Sequence, residues 1–90
     1  MTFLNEYAIN EVKMAIVMYS KNECSFCDKA RELLRQEGKF FIEYKLERDF
    51  SRETIKALYP SAKTFPVITI DSRYIGGYNE LSKLHEEGKL

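Results

Sequence analysis

The sequence lacks a long hydrophobic run: the longest, Met14 to Tyr19, falls far short of the ~20 residues a bilayer-spanning helix needs. It also lacks net charge. Fourteen Lys plus Arg balance fourteen Asp plus Glu along the chain, with no basic run and no acidic tail. That removes the electrostatic footprint of a nucleic-acid or anionic-membrane binder. Positive charge is missing from the first dozen residues, where Asn5, Glu6, Asn10 and Glu11 interrupt the continuous apolar segment a signal peptide requires. The expectation is a soluble, cytoplasmic chain without a membrane or nucleic-acid partner. No repeat, low-complexity block or Pro/Gly/Ser-rich linker divides it, so its 90 residues are read as a single domain, with 1–12 an N-terminal extension and a core of about 14–86.

Cysteine is scarce as well. Cys24 and Cys27 are the whole thiol inventory, whereas a secreted disulfide scaffold would use four to eight cysteines closing long loops. One close pair in a cytosolic chain points to metal or redox chemistry, and the question becomes what surrounds it.

Met14-Ala-Ile-Val-Met-Tyr19 is a β-leaning run with apolar residues on both faces, as in a strand covered on both sides. Ser20 to Glu23 reads as a loop. From Ser25 to Gln36 the apolar positions Cys27, Ala30, Leu33 and Leu34 recur at three and four, opposite a charged face, which predicts an amphipathic helix stopped by Gly38. Phe40 to Leu46 reads as a second strand. Ser51 to Tyr59 follows as a short helix, with Ser51 its N-cap and Pro60 its stop. Val67–Asp71 and Arg73–Ile75 form a hairpin through Asp71-Ser72, a pair far from the favoured Asn-Gly turn. Gly76-Gly77 breaks the chain, and Asn79 is the expected cap of a last helix to about Glu87. In residues 2–12, Leu4, Tyr7, Ala8 and Val12 suggest a short helix packed on the body. Strand, helix, strand, helix, hairpin, helix is most economically an α/β layered domain, with a parallel βαβ unit and a late antiparallel hairpin in one sheet.

Within that frame the two thiols are inequivalent. Cys24 sits at or beside the N-cap, and Cys27 lies one turn inside on the apolar face. Residues three apart on a helix lie within disulfide range. The unpaired N–H groups at the helix start favour a thiolate at Cys24 and hold its pKa below the ordinary ~8.5; Lys21 adds to this, while Glu23 and Asp28 oppose it. Cys24 is thus the candidate nucleophile and Cys27 the resolving thiol. Two other readings compete. A structural zinc needs four ligands, and His85 is the only further soft candidate, so an intrachain site is a ligand short. Inert packing suits Cys27 better than Cys24, which falls in a loop.

Cys24-Ser-Phe-Cys27 after a strand, Thr64-Phe-Pro66 before a strand and Gly76-Gly77 before the last helix together resemble a small dithiol glutaredoxin of the thioredoxin-fold class. The resemblance spans roughly residues 14 to 86. It implies a four-stranded mixed sheet flanked by helices, glutathione as reductant, and disulfide-containing client proteins, ribonucleotide reductase among them. It further implies a cis Phe65–Pro66 bond, where composition alone favours trans. Phe65 takes the place of the usual Val and pairs its backbone with the substrate. Gly76-Gly77-Tyr78-Asn79 corresponds to the family's G-G-x-D, where the start of the last helix receives the γ-glutamyl carboxylate of glutathione. Asn79 lacks the charge of the usual Asp. Lys21 and Arg52 match positions that hold the glycine carboxylate, and Phe26 replaces the common Tyr beside the groove. The implied glutathione site is therefore Lys21, Phe26, Arg52, Thr64, Phe65, Pro66, Gly77, Tyr78 and Asn79.

Ser25 replaces the Pro of C-P-Y-C. In the resembling family, small residues here accompany forms that hold an iron–sulfur cluster between two subunits through the first cysteine and glutathione. A subunit-bridging 2Fe-2S cluster on Cys24 is thus an alternative to a monomer. Reduction by thioredoxin reductase and an inert binding module are two more.

Overall fold

The computed structural model describes residues 14–90, and the helix expected from Leu4, Tyr7, Ala8 and Val12 lies outside the described residues. The elements are β1 (Ile16–Ser20), α1 (Ser25–Gln36), β2 (Phe41–Lys45), α2 (Arg52–Leu58), β3 (Val67–Ile70), β4 (Arg73–Gly76) and α3 (Tyr78–Glu86). They follow the order read from the sequence, with ends displaced by up to two residues where hydrogen bonding, rather than hydrophobicity, sets the boundary. One sheet has the order β2-β1-β3-β4, with β1 parallel to β2 and β3 antiparallel to both β1 and β4.

Alternation along β1 sorts its side chains. Ile16, Met18 and Ser20 are buried on one face, while Val17 and Tyr19 are half-buried on the other. On the first face Ile16, Met18 and Ile68 pack with Ala30 and Leu34 of α1 and Leu81 of α3 to form the core. Each fully buried side chain the size of Leu contributes roughly 1.5–3 kcal/mol. On the second face Tyr19 meets Tyr44, Phe50 and Tyr59 at ring separations of 5.6, 5.3 and 5.8 Å. Burial in this aromatic layer raises the Tyr19 hydroxyl pKa, with Tyr59 beside it adding to the shift.

Local chemistry sets the ends of the elements. Ser51 caps α2 by accepting the Thr54 N–H at 3.2 Å. Gly38, at φ +66°, ends α1 as expected, its N–H reaching Arg35 O at 3.0 Å while Lys39 N reaches Leu34 O at 2.9 Å. The Asp71-Ser72 turn places both residues at positive φ, 53° and 70°. Asp71 is anchored there by a two-way exchange with Ala15: its N–H donates to Ala15 O at 2.9 Å and its Oδ1 accepts the Ala15 N–H at 3.0 Å.

One expected cap is corrected. Gly77, not Asn79, caps α3: the Leu81 N–H bonds Gly77 O at 3.1 Å and closes the first turn two residues earlier. Glu80 makes this possible by reaching back to accept the Gly77 N–H at 2.8 Å, which leaves Asn79 inside the helix.

Candidate active site

Ser20 ends β1, Lys21 to Glu23 form the connecting loop, and Glu23 turns the chain at φ 54°. Cys24 is the N-cap of α1 in extended conformation, with φ −131° and ψ 102°. Its Sγ accepts the N–H of Cys27 at 3.1 Å, and its carbonyl accepts that of Asp28 at 3.0 Å. One otherwise orphaned helix donor is therefore spent on sulfur. Cys24 and Cys27 are joined in a disulfide, with Cα atoms 5.2 Å apart. Cys24 is 8% exposed and Cys27 0%. Any attack from solution must reach the first sulfur.

Opposite the pair, the Phe65–Pro66 bond is cis, and the Phe65 carbonyl oxygen lies 3.8 Å from Cys24 Sγ. Two cations converge on the Phe65 ring: Lys21 Nζ at 5.9 Å and Arg52 Cζ at 5.8 Å from its centroid. Arg52 comes from the first turn of α2 and Lys21 from the loop after β1, so the fold brings together residues that are far apart in the chain. Aromatic faces attract such cations and hold them in place. Lys21, Arg52, Thr64 and Phe65 line a cavity of about 340 Å³ into which Cys24 opens. A second cavity, of about 420 Å³, adjoins it through Phe26, Thr64 and Phe65 and is walled by Pro66, Gly77, Tyr78 and Asn79. Every residue of the expected site other than buried Cys27 thus lines one of these two neighbouring cavities, which together make up the groove.

The floor of the second cavity depends on two glycines. Gly76 has φ +126°, and a Cβ there would meet the Glu80 side chain at 2.6 Å; at Gly77 a Cβ would lie 3.2 Å from Pro66 O. A side chain at Gly77 would press on the Pro66 carbonyl, so glycine suits this close approach of the start of α3 to the Pro66 backbone. Across the mouth, Phe26 and Tyr78 are tilted rings 6.2 Å apart, with Lys29 Nζ 5.2 and 5.9 Å from them.

Three charged groove residues were not foreseen. Lys56 and Lys63 add positive charge to the Cys24 cavity, and Glu80 sets a carboxylate beside the helix start. Lys56 was legible as the i+4 neighbour of Arg52 on one helix face, and Lys63 precedes Thr64 directly. Glu80 carried the spacing of a capping-box acid, but from Gly77, a cap without a side chain.

The glutaredoxin family model aligns to residues 16–75. The chain belongs to the glutaredoxin family. It is 35% identical over 80 residues to a probable glutaredoxin of Synechocystis sp., covering 88% of this chain and 91% of that one. With glutaredoxin-C2 of Arabidopsis thaliana it shares 33% over 79 residues, 84% of this chain and 71% of the relative. Among solved structures, a buckwheat glutaredoxin–glutathione complex superposes with a TM-score of 0.75 at 25% identity, covering 99% of this chain and 84% of that one. The dithiolic glutaredoxin 2-C-Grx1 of Trypanosoma brucei brucei gives 0.71 at 30% identity, covering 93% and 88%. The expected thioredoxin-like fold is the one observed, and the chain is a thiol–disulfide oxidoreductase.

Proposed function

We propose that this glutaredoxin reduces protein disulfides and glutathione mixed disulfides, drawing electrons from glutathione, with Cys24 attacking and Cys27 resolving. The observation that carries the assignment is the asymmetry of the pair: Cys24 lines the cavity and its Sγ accepts a helix N–H, whereas Cys27 is fully buried and lines neither cavity. A helix N–H aimed at sulfur stabilises the thiolate, which is the nucleophile.

In the forward reaction the Cys24 thiolate attacks one sulfur of the substrate disulfide. A Cys24–substrate disulfide forms, and the other substrate sulfur leaves as a thiolate that takes a proton. Cys27 then loses its proton and attacks Cys24 Sγ, the mixed disulfide breaks, and the second substrate thiol is released. The pair has given up two electrons and ends as the disulfide seen here. For recovery, a glutathione thiolate attacks Cys24 Sγ and expels Cys27, which is protonated. A second glutathione attacks the glutathione sulfur and leaves as oxidised glutathione, freeing the Cys24 thiolate.

The groove has complementary ends for that tripeptide. Lys21 and Arg52, held over Phe65, suit its glycine carboxylate. The N–H groups of Tyr78 and Asn79 at the start of α3, which have no intrahelical acceptor, suit the γ-glutamyl carboxylate. The Phe65 backbone faces the sulfur between them, and Phe26, Thr64, Pro66 and Gly77 supply the walls. The buckwheat relative, solved with glutathione, supports this reading. Clients are disulfide-bearing proteins, ribonucleotide reductase among them, met in the cytoplasm by a monomer.

Turnover of a small glutathione mixed disulfide, coupled to NADPH through glutathione reductase in one arm and thioredoxin reductase in the other, tests this. Activity in the glutathione arm supports the proposal. Activity in the thioredoxin reductase arm alone overturns the choice of reductant while keeping the thiols. The cluster-bridged dimer rests on Ser25 alone. Among the described residues no three His, Cys, Asp or Glu side chains gather in ligating positions; in that reading each subunit would hold the cluster through its Cys24 sulfur.

A further inference from the structure

A chain of polar contacts, partly buried at Ser20, Arg31 and Glu43 and exposed at Asp28, flanks the site. Ser20 is 0% exposed and its Oγ donates to Glu43 Oε2 at 2.6 Å. Arg31 grips the same carboxylate with two hydrogen bonds, Nε to Oε1 at 2.8 Å and Nη2 to Oε2 at 2.6 Å. Its remaining arm, Nη1, donates to Asp28 Oδ1 at 2.8 Å. Arg31 and Glu43 are only 18% and 17% exposed. The contacts join three elements: the last residue of β1, the middle of β2, and the first two turns of α1.

Their placement along the chain matters. Ser20 lies just before the loop that delivers Cys24, while Asp28 follows Cys27 and Arg31 lies one turn beyond it. Both flanks of the C-x-x-C segment are therefore tied to one carboxylate on the neighbouring strand. We propose that Glu43 is a positioning residue for the thiol chemistry: by binding Ser20 and Arg31 together it fixes the start of α1 against the end of β1, and so keeps the Cys27 N–H aimed at Cys24 Sγ. This rests on the reading of Cys24 as the attacking thiol. A hydrogen bond to sulfur weakens steeply with misalignment, so a small rotation of α1 costs thiolate stabilisation before it costs the fold. A bidentate Arg–carboxylate pair is the geometry best suited to prevent that rotation.

The sign of the effect separates positioning from plain electrostatics. Removing a carboxylate charge near a thiol lowers the thiol pKa if charge alone acts; loss of alignment raises it. The other charges around Cys24 stay in place in the test variants: Lys21 and Glu23 on its loop, Asp28 on α1, Arg52 and Lys56 on α2, and Lys63 before the cis-proline.

The experiment titrates Cys24 in a Cys27→Ser background by thiolate absorbance and by alkylation rate against pH, adding Glu43→Gln or Ser20→Ala. That background has a single thiol, so the titration reports Cys24 whatever its part in turnover; an error in the thiol roles would show separately, as mixed-disulfide reduction surviving in Cys24→Ser. Each variant is expected to raise the Cys24 pKa, with the thiolate fraction below the midpoint falling at least about threefold. An unchanged or lowered pKa in folded Glu43→Gln overturns the proposal. Should Glu43→Gln fail to fold, Ser20→Ala, which keeps the ion pair intact, decides by the same criterion.

Discussion

The Cys27 amide N–H points at Cys24 Sγ from 3.1 Å, so the two thiols of the pair play unequal parts: one is the cap, and the other supplies the capping donor. Cys24→Ser is expected to abolish reduction of a glutathione mixed disulfide. Cys27→Ser is expected to retain it, because that substrate needs only the first sulfur, while losing reduction of protein disulfides. Equal loss in both variants with the small substrate would defeat the assignment.

Lys21 and Arg52 share the Phe65 ring, which places two cations at one end of the groove. Lys21→Ala and Arg52→Ala should each raise KM for the mixed disulfide by roughly two- to tenfold, with a smaller change in kcat, as expected for a contact to a carboxylate in a partly exposed groove. Raising ionic strength should shrink the difference from wild type. Steady-state kinetics at low and high salt checks this, and an effect on kcat alone would place the two cations outside the binding site.

Glu80 takes the Gly77 N–H at 2.8 Å and puts a carboxylate beside the helix start proposed for the γ-glutamyl group. Glu80→Gln keeps an acceptor and removes the charge, so KM for the mixed disulfide should fall by about two- to threefold. A rise in KM would mean that the carboxylate acts on the substrate ammonium instead.

Gly76 combines φ +126° with a Cβ position blocked by Glu80. Gly76→Ala should destabilise the fold by about 1–3 kcal/mol, a penalty typical of a non-glycine residue forced into such a conformation. Thermal or urea unfolding reads this directly. Gly38→Ala, at φ +66° but with nothing near its Cβ position, is the milder control.

Arg31 holds the Glu43 carboxyl down to about 2, against the cost of burial and with help from Ser20. A folded-state pKa below the unfolded ~4.3 means that this pair's contribution to stability is present above that value. It is lost as pH falls from there through about 2. Urea unfolding between pH 2 and 6 should therefore show wild type losing more stability over that window than Glu43→Gln, which has no charge to neutralise. Parallel curves would show that the carboxyl titrates alike in both states.

Much of the fold was legible because the signals are local. Apolar spacing of three and four marked α1, Gly38 its end and Ser51 the cap of α2, and in each case the groups that satisfy one another are within a few residues. The Asn79 cap was misplaced because Gly77 offers no side chain to read, and its partner Glu80 acts from the far side of the expected cap. The cis Phe65–Pro66 bond was legible only through family resemblance, since nothing in the neighbouring residues distinguishes it from an ordinary trans proline.

The sequence by itself determined the inequivalence of the thiols. Two cysteines three apart at a helix start must differ in burial and in access to helix N–H groups, wherever that helix packs. Only the tertiary structure decided what faces them. The β2-β1-β3-β4 order carries β3 and its leading Phe65-Pro66 next to β1, bringing Lys21 and Arg52 onto one ring and a carbonyl to the sulfur. The parallel β1–β2 pairing sets Glu43 beside Ser20 and within reach of Arg31. Such contacts come from strand register and helix packing, which depend on the whole core and leave no local pattern to read.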